Sequence, residues 1–327
     1  MTRVGGQFGP DATFLGVPKA DLDEPESWAG TDIMIIGAPF DSGTSHRPGT
    51  RFGPQAIRFT DYLPHDGSRP SLALGVDPLK DLRVADAGDV LMPPGYTEIS
   101  LERLEKAVHT AAAGGAIPVI LGGDHTIAFP DATGVARHVG WGRVSMIHFD
   151  AHADTGEDHM GQLHGHGTPM RRLIESGAVL GRNFVQVGLR GYWPPADVFA
   201  WMRAQQMRTH LMQEIWERGI AAVMRDVIAE AQEGTDGIYL SVDIDVLDPG
   251  FAPGTGTPEP GGMAPVDLLR IVRQIALETN LVAMDVVEVS PPYDHADLTV
   301  NNAHRCIWEV LAALAVRRRD AAAPDQS

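Results

Sequence analysis

The chain has 327 residues, 43% of them hydrophobic, and a formal net charge of −17 at pH 7. This length suits one large α/β domain or two smaller ones, and the acidic balance without a basic stripe argues against nucleic acid and anionic membranes as partners. A single cysteine excludes a disulfide framework, and no run of 18 apolar residues or signal peptide is found. We therefore expect a cytoplasmic protein without a membrane segment.

The first part of the chain is predicted to be an irregular arm over residues 1–30, rich in Gly, Pro and Asp. A strand is predicted over 32–38, where a continuous apolar run is typical of a parallel strand buried on both faces. It leads into a glycine-rich segment at 39–58, with a short helix expected from Pro54. Loops in this position contact ligands in open α/β folds, although a purely structural role fits equally well.

The next elements are a strand over 81–89, expected near a sheet edge, and a helix over 97–114. The segment 117–126 then combines an apolar strand, two glycines and a polar pair. His125 stands where the chain leaves this strand. Taken alone, it is more typical of the first turn of a helix than of a metal ligand.

The stretch 145–154 reads S-M-I-H-F-D-A-H-A-D and places Asp150, His152 and Asp154 two residues apart. In an extended chain, this spacing turns all three side chains to one face. Two carboxylates and an imidazole suit a divalent ion such as Mn²⁺. For this stretch alone, the alternative is a core strand with a solvated end.

The remaining elements complete an alternation of apolar strands with helices. We predict helices over 168–177, 195–206, 213–233 with a break near Gly219, 265–279 and 298–318, and strands over 184–190, 238–245 and 281–289. Asp243 and Asp245 close the strand at 238–245, and Glu288 lies near the end of the last one. The alternation predicts a mostly parallel sheet covered on both faces. We expect one domain over 31–318 and a flexible tail over 319–327.

Three of these strand ends carry residues of the types that bind metals. They are His125, Asp150, His152, Asp154, Asp243 and Asp245. Four carboxylates close together would repel one another strongly, whereas two divalent ions would balance their charge. Paired ions also lower the pKa of a shared water towards ~7. The pattern therefore predicts a binuclear metal site.

Several motifs resemble those of the ureohydrolase (arginase/agmatinase) family. The three that resemble its metal-binding signatures are G-G-D-H at 122–125, D-A-H-A-D at 150–154 and S-V-D-I-D-V-L-D-P at 241–249. The others are H-G-T-P at 166–169, G-T-G-T-P-E at 254–259, V-E-V-S-P-P-Y-D at 287–294 and the loop at 49–58. H-G-T-P and G-T-G-T-P-E are more similar to the agmatinase and guanidino-acid hydrolase branch than to true arginases. The resemblance implies a three-layer α/β/α fold, arginase-like, with two Mn²⁺ ions per subunit; Ni²⁺ or Co²⁺ are alternatives.

The resemblance also implies a role for each site residue. One ion would be ligated by His125 and Asp154 and the other by His152 and Asp245, with Asp150 and Asp243 bridging both. Glu288 matches the acid that holds a guanidinium group. His166 matches a proton-shuttling histidine, with His164 as the alternative.

The implied reaction hydrolyses a linear amidine to urea and an amine, with agmatine and its product putrescine as the first choice. Glu157 and Asp158 favour such a cationic tail, whereas Arg47, Arg51 or His159 would suit the carboxylate of 4-guanidinobutyrate or 3-guanidinopropionate.

Guanidine and formiminoglutamate are further candidate substrates. The other classes are a single-zinc deacetylase and a non-catalytic metal-binding partner subunit. The resemblance also implies a homo-oligomer, trimer or hexamer. Cys306 is interpreted as a packing residue.

Overall fold

The computed structural model describes residues 6–63, 66 and 68–322. Eight strands form its central sheet: β1 (Ile33–Gly37), β2 (Val84–Asp89), β3 (Ile117–Leu121), β4 (Val144–Phe149), β5 (Phe184–Val187), β6 (Arg208–His210), β7 (Gly237–Asp243) and β8 (Leu281–Val287). Their order across the sheet is β2-β1-β3-β8-β7-β4-β5-β6, and every neighbouring pair is parallel. The strand at 81–89 is at the edge of the sheet, as predicted.

The helices follow the strands along the chain. They are α1 (Gly53–Phe59), α2 (Pro78–Asp81), α3 (Thr97–Ala113), α4 (Ala128–Val139), α5 (Pro169–Ser176), α6 (Ala196–Ala204), α7 (Met212–Arg218), α8 (Ile220–Ala231), α9 (Pro265–Glu278) and α10 (Leu298–Ala322). Proline in the first turn of α1, α5 and α9 favours their starts, because its missing N–H has no helical partner there. None of the helices in the described part of the chain combines the length and apolar composition that a membrane crossing requires.

The alternation of side chains along the strands divides the core into two layers. In β7, Leu240 and Val242 join the apolar cluster that contains residues of α8, α9 and α10. Tyr239 lies on the other face, with residues of α3, α4 and α5. Because successive strand residues point to opposite faces, each strand contributes to both layers. The predicted three-layer α/β/α fold is confirmed.

Some predicted boundaries and elements were wrong. The extended chain considered for residues 145–154 is not found, because β4 stops at Phe149, and the predicted strand at 238–245 stops at Asp243. Helix α4 and the three-residue strand β6 were not predicted. The last helix continues to Ala322. The expected tail at 319–327 therefore begins inside it, and residues 323–327 lie outside the described residues, as do residues 1–5 of the arm.

The four central strands of the sheet are β3, β8, β7 and β4, in that order. They come from distant parts of the sequence, and β8 lies between β3 and β7, to which it pairs directly. Because all eight strands are parallel, their carboxyl ends share one edge, where open α/β sheets bind ligands. Every residue of the predicted site follows or ends one of these four strands, except His166.

Candidate metal centre

The three metal-type motifs meet at the carboxyl edge of the central strands. His125 follows β3, Asp150 follows β4, and Asp243 is the last residue of β7. The turn after β3 depends on Gly123, because a Cβ added there would lie 2.1 Å from the carbonyl oxygen of Phe40. This close approach of the two backbones places His125 at the carboxyl edge of the sheet.

His125 is fully buried and faces three carboxylates. Its Nδ1 atom lies 3.1 Å from Oδ2 of Asp150, 3.0 Å from Oδ2 of Asp154 and 3.1 Å from Oδ2 of Asp243. Among the described residues, Nδ1 has no partner with hydrogen-bond geometry. Three carboxylates around one buried nitrogen are electrostatically unstable unless a cation lies between them. This donor set fits a divalent metal ion.

A second group of ligand atoms adjoins the first. Nδ1 of His152 lies 3.1 Å from Oδ2 of Asp245 and 3.4 Å from Oδ1 of Asp150. Asp150 thus presents one oxygen to His125 and the other to His152. A shared carboxylate of this kind fits a pair of ions, and the six predicted residues together offer four negative charges for two divalent cations.

The spacing of Asp150, His152 and Asp154 suggested an extended chain that turns all three side chains to one face. The structure brings them together by a bend instead. The chain bends after Phe149, and Asp154 has a positive φ of 51°. The bend is closed by the backbone N–H of His152, which donates to Oδ1 of Asp150 at 2.6 Å. Asp245 lies in a 3₁₀ turn, where its N–H donates to Oδ1 of Asp243 at 2.8 Å. In each of the two turns, an aspartate side chain thus accepts a hydrogen bond from the backbone N–H two residues later.

His148 supports Asp150 from within β4. The amide nitrogen of Gln186 donates to the carbonyl of Ala153 at 2.7 Å and lies 3.0 Å from Nδ1 of His148. Nδ1 therefore accepts, and Nε2 carries the proton that is donated to Oδ2 of Asp150 at 2.8 Å. Both ring nitrogens are occupied, so His148 orients a ligand rather than binding an ion itself.

Glu288 and His166 form a hydrogen-bonded pair beside the carboxylates. Oε1 of Glu288 accepts from Nδ1 of His166 at 3.0 Å and from the backbone N–H of His125 at 2.9 Å. Its Oε2 is buried without a partner among the described residues. Burial lowers the pKa of His166, whereas the neighbouring Glu288 carboxylate raises it. The net effect is a pKa raised to about 9. An acceptor oxygen and a protonated imidazole are thus held side by side.

His166 lines a cavity of about 340 Å³ above the carboxylates. The cavity is lined by Ser45, His152, Asp154, Asp158, His159, His166, Gly167, Trp193, Asp243 and Thr257. His164 lies elsewhere: its ring stacks on Phe129 at 5.7 Å between ring centroids, and it lines a different cavity. Of the two candidate histidines, His166 is therefore the one placed beside Glu288.

The charged residues considered for substrate recognition differ in position. Asp158 and His159 line the cavity, whereas Glu157 is exposed and faces Arg171. Arg51 forms an ion pair with Asp41, and the guanidinium of Arg47 lies 5.4 Å from the centre of the Tyr293 ring. No Lys or Arg is among the described residues that line this cavity.

The sequence pointed to the loops 43–52 and 191–195 and to the motif at 254–259, but it did not identify the individual residues there that form the site. The hydroxyl oxygen of Ser45 lies 2.6 Å from Nε2 of His166 and accepts from the protonated ring, and Trp193 and Thr257 line the cavity. Arg190 donates to the carbonyl oxygens of Asp245 at 2.7 Å and Glu259 at 2.6 Å, and so fixes the loop after β7. These residues lie in loops, where only the tertiary structure shows what they contact; the one available signal was the glycine-rich composition around them.

The matches to known proteins agree with this geometry. The chain is 39% identical over 285 residues to "Guanidino acid hydrolase, mitochondrial" of Homo sapiens, covering 87% of this chain and 79% of that protein. It is 38% identical over 313 residues to "Agmatinase, mitochondrial" of Gallus gallus, covering 93% and 89%.

The solved structure of proclavaminate amidino hydrolase from Streptomyces clavuligerus is similar, with a TM-score of 0.84 and 32% identity. That match covers 94% of this chain and 98% of the other. The sequence model of the Arginase family matches residues 31–313. The chain therefore belongs to the arginase family.

Proposed function

We propose that this enzyme is an agmatinase, which uses two Mn²⁺ ions to hydrolyse agmatine to putrescine and urea. As a member of the arginase family, the chain is a hydrolase, and its relatives bear the names of enzymes that act on guanidino compounds. The observation that carries the finer proposal is the cavity itself. It joins the carboxylate cluster to His166 and carries one further carboxylate, Asp158, without a lining Lys or Arg among the described residues.

The proposed metal ligands are the six residues predicted from the motifs. His125 and Asp154 would hold one ion and His152 and Asp245 the other, with Asp150 and Asp243 shared. Two bound ions would supply Lewis-acid activation of the attacking water. The protein itself keeps four buried carboxylates close together, which is tolerable only where cations offset their charge.

Glu288 is proposed to hold the guanidinium group of the substrate. Its Oε1 atom is occupied by His125 and His166, whereas Oε2 is buried and free of partners among the described residues. A buried carboxylate oxygen without a donor is costly unless a ligand supplies one. A guanidinium N–H would supply it as a charge-assisted hydrogen bond and would fix the carbon for attack.

His166 is proposed to move the proton that the leaving amine requires. Hydrolysis consumes one water and gives urea and a free amine, so a proton must pass from the water to the amine nitrogen. The raised pKa of His166, about 9, keeps a proton on this imidazole at neutral pH. Its contacts with Ser45 and Glu288 hold the ring in place beside the cavity.

A guanidino-acid hydrolase is the second candidate, and the observation in its favour is the imidazole of His159 in the cavity lining. A carboxylate tail, as in 4-guanidinobutyrate or 3-guanidinopropionate, would need a cation there. Burial and the neighbouring His166 lower the pKa of His159, which leaves it neutral at pH 7. Asp158 beside it repels an anion, so agmatine is preferred over these acids and over guanidine, which has no tail for Asp158 to contact.

The test is urea release by the Mn²⁺-loaded enzyme from agmatine, arginine, 4-guanidinobutyrate, 3-guanidinopropionate and guanidine. We expect agmatine to give the highest kcat/KM and Asp150→Asn to abolish the activity. A guanidino acid as the best substrate would contradict agmatine and retain the chemistry. Absence of urea with Mn²⁺, Ni²⁺ and Co²⁺ would favour a non-catalytic metal-binding subunit.

The assembly and location remain predictions. We expect a homo-oligomer, a trimer or hexamer, which light scattering coupled to gel filtration would measure. A cytoplasmic location is the matching expectation for a chain with one cysteine.

A further inference from the structure

A row of polar side chains runs from Asp243, a proposed metal ligand, into the sheet, and its other members have no part in the function proposed above. Tyr239, Ser241 and Asp243 occupy alternate positions of β7 and so share one face. Asp285 of β8 is paired directly with Ser241 in the strand register. Tyr239, Ser241 and Asp285 are fully buried.

The hydrogen bonds in this row have defined directions. The hydroxyl of Ser241 donates to Oδ1 of Asp285 at 2.8 Å, and the hydroxyl of Tyr239 donates to Oδ2 of the same carboxylate at 2.8 Å. Since the one proton of Ser241 is used, its oxygen must accept from Nε2 of His125, which lies 2.9 Å away. His125 therefore carries a proton on Nε2, which leaves Nδ1, the atom that faces the three carboxylates, as the one that an ion would bind.

We propose that Ser241 and Asp285, anchored by Tyr239, are positioning residues that hold His125 as a metal ligand. This inference rests on the proposed metal centre. The chain of hydrogen bonds selects the tautomer whose Nδ1 is free to bind an ion. It also orients the ring and, through the carboxylate of Asp285, makes that nitrogen a stronger donor.

The burial of Asp285 indicates a role beyond packing. The carboxylate of Asp285 loses its hydration inside the sheet, which costs free energy. The other side chains that β8 contributes to this face are apolar, among them Ala283 and Val287. Asp285 is accommodated because both of its oxygens accept a hydrogen bond from β7. The hydrogen bonds from Tyr239 and Ser241 fix Nε2 of His125 and aim Nδ1 at three carboxylates, an orientation that suits the binding of a cation there.

The experiment compares Ser241→Ala with Ser145→Ala in the full-length protein. Ser145 is the matched control because it is an equally buried serine of the neighbouring strand β4, and its hydroxyl donates to the carbonyl of Asn183 away from the cluster. Each protein is loaded with Mn²⁺, passed through gel filtration in metal-free buffer, and its Mn²⁺ content is measured by mass spectrometry. Mn²⁺ affinity is measured by calorimetric titration of the metal-free protein.

We expect wild type and Ser145→Ala to retain two ions, and Ser241→Ala to lose the one bound by His125 and retain about one. Its affinity at that site should fall by roughly 10- to 100-fold, the usual effect of removing the partner of a ligating histidine. Tyr239→Phe should give a smaller loss, because it frees only one oxygen of Asp285. Excess Mn²⁺ should restore urea release by Ser241→Ala, which a general folding defect would not allow.

Two outcomes separate this inference from the function on which it rests. If wild type binds two ions and Ser241→Ala matches Ser145→Ala in content and within twofold in affinity, the positioning role is wrong and the enzyme assignment stands. If the wild-type protein does not bind two Mn²⁺ ions, the proposed metal centre itself is wrong. If Ser241→Ala does not unfold cooperatively, Tyr239→Phe replaces it as the test. The proposal is then overturned if Tyr239→Phe binds Mn²⁺ as tightly as Ser145→Ala does.

Discussion

Nδ1 of His166 lies 3.0 Å from Oε1 of Glu288, so one carboxylate oxygen serves the imidazole while the other remains available. The hydrogen bond thus joins the proposed proton donor to a carboxylate whose second oxygen is proposed to bind the substrate's cation. Neither residue belongs to the proposed set of metal ligands. Substrate binding and metal binding can therefore be changed separately by mutation.

Glu288→Gln tests the cation-binding half of this pair. The change keeps the shape of the side chain and removes its charge, so we expect kcat/KM for agmatine to fall by roughly 10- to 100-fold. This is the range for loss of one charge-assisted hydrogen bond. Steady-state urea release measures the effect, with Mn²⁺ content as an internal check and the exposed Glu278→Gln as control. An unchanged kcat/KM would remove Glu288 from the substrate site.

Gly256→Ala tests whether Oε2 of Glu288 is the atom that the substrate reaches. A Cβ at Gly256 would lie 2.9 Å from that oxygen, closer than ordinary van der Waals contact. We expect kcat/KM to fall at least about tenfold while two Mn²⁺ ions remain bound, because a methyl group would occupy the space that a guanidinium nitrogen needs. Kinetics with metal analysis on the same sample measures both. Full activity would show that the guanidinium approaches from another side.

Asp158→Asn tests the assignment of a cationic tail. Asp158 lines the cavity, whereas the adjacent Glu157 is exposed and points to Arg171, so Glu157→Gln is a matched control with the same charge change. We expect the ratio of kcat/KM for agmatine to that for 4-guanidinobutyrate to fall about tenfold or more in Asp158→Asn and to stay constant in Glu157→Gln. If the two substitutions changed this ratio equally, the overall electrostatic field of the protein, and not Asp158 itself, would select the tail of the substrate.

Metal removal should destabilise the protein measurably. Four carboxylates remain around His125 and His152 without their cations. One ion at a free concentration of 100 times its Kd stabilises a fold by about 2.7 kcal/mol, so two independent ions contribute about 5.4 kcal/mol. At roughly 2 °C per kcal/mol for a chain of this size, EDTA should lower Tm by about 10 °C, and Mn²⁺ should restore it. Equal Tm values with and without Mn²⁺ would argue against the centre.

Cys306, the single cysteine, should be chemically silent in the native protein. It is fully buried in α10, and burial together with the Glu309 carboxylate raises its pKa to about 12. Because the thiolate is the reactive form, a thiol reagent should label the native protein negligibly and label about one site per chain in guanidinium chloride. Cys306→Ala should retain kcat/KM within about twofold. Rapid native labelling would contradict the buried position.

The sequence allowed the positions of the six metal-type residues to be predicted because each follows an apolar strand, and parallel strands share one carboxyl edge. It did not allow their turns to be predicted: the positive φ of Asp154 depends on hydrogen bonds made only in the folded loop. Helix α4 contains Pro130 and Gly134, which weaken the helical pattern, and β6 has three residues.

The contacts between strands lay beyond sequence reasoning for a different reason. Ser241 and Asp285 both interrupt apolar runs, and a polar residue inside a buried strand was the available signal. Their direct pairing depends on the register of β7 against β8, which no local pattern encodes. The proximity of Gln186 to His148 depends in the same way on β4 against β5.

The place of β8 between β3 and β7 bears on the order of events when the enzyme is made. His125 and Glu288 are 163 residues apart, so a ribosome adding 5–20 residues per second needs roughly 8–33 s to pass from one to the other. During that interval the nascent chain exposes several metal-type residues while the two halves of its sheet lack the strand that joins them. The proposed metal centre is thus completed only when synthesis is nearly finished, and a ribosome stalled before residue 281 would display all six metal-type residues without the strand that joins the two halves of the sheet.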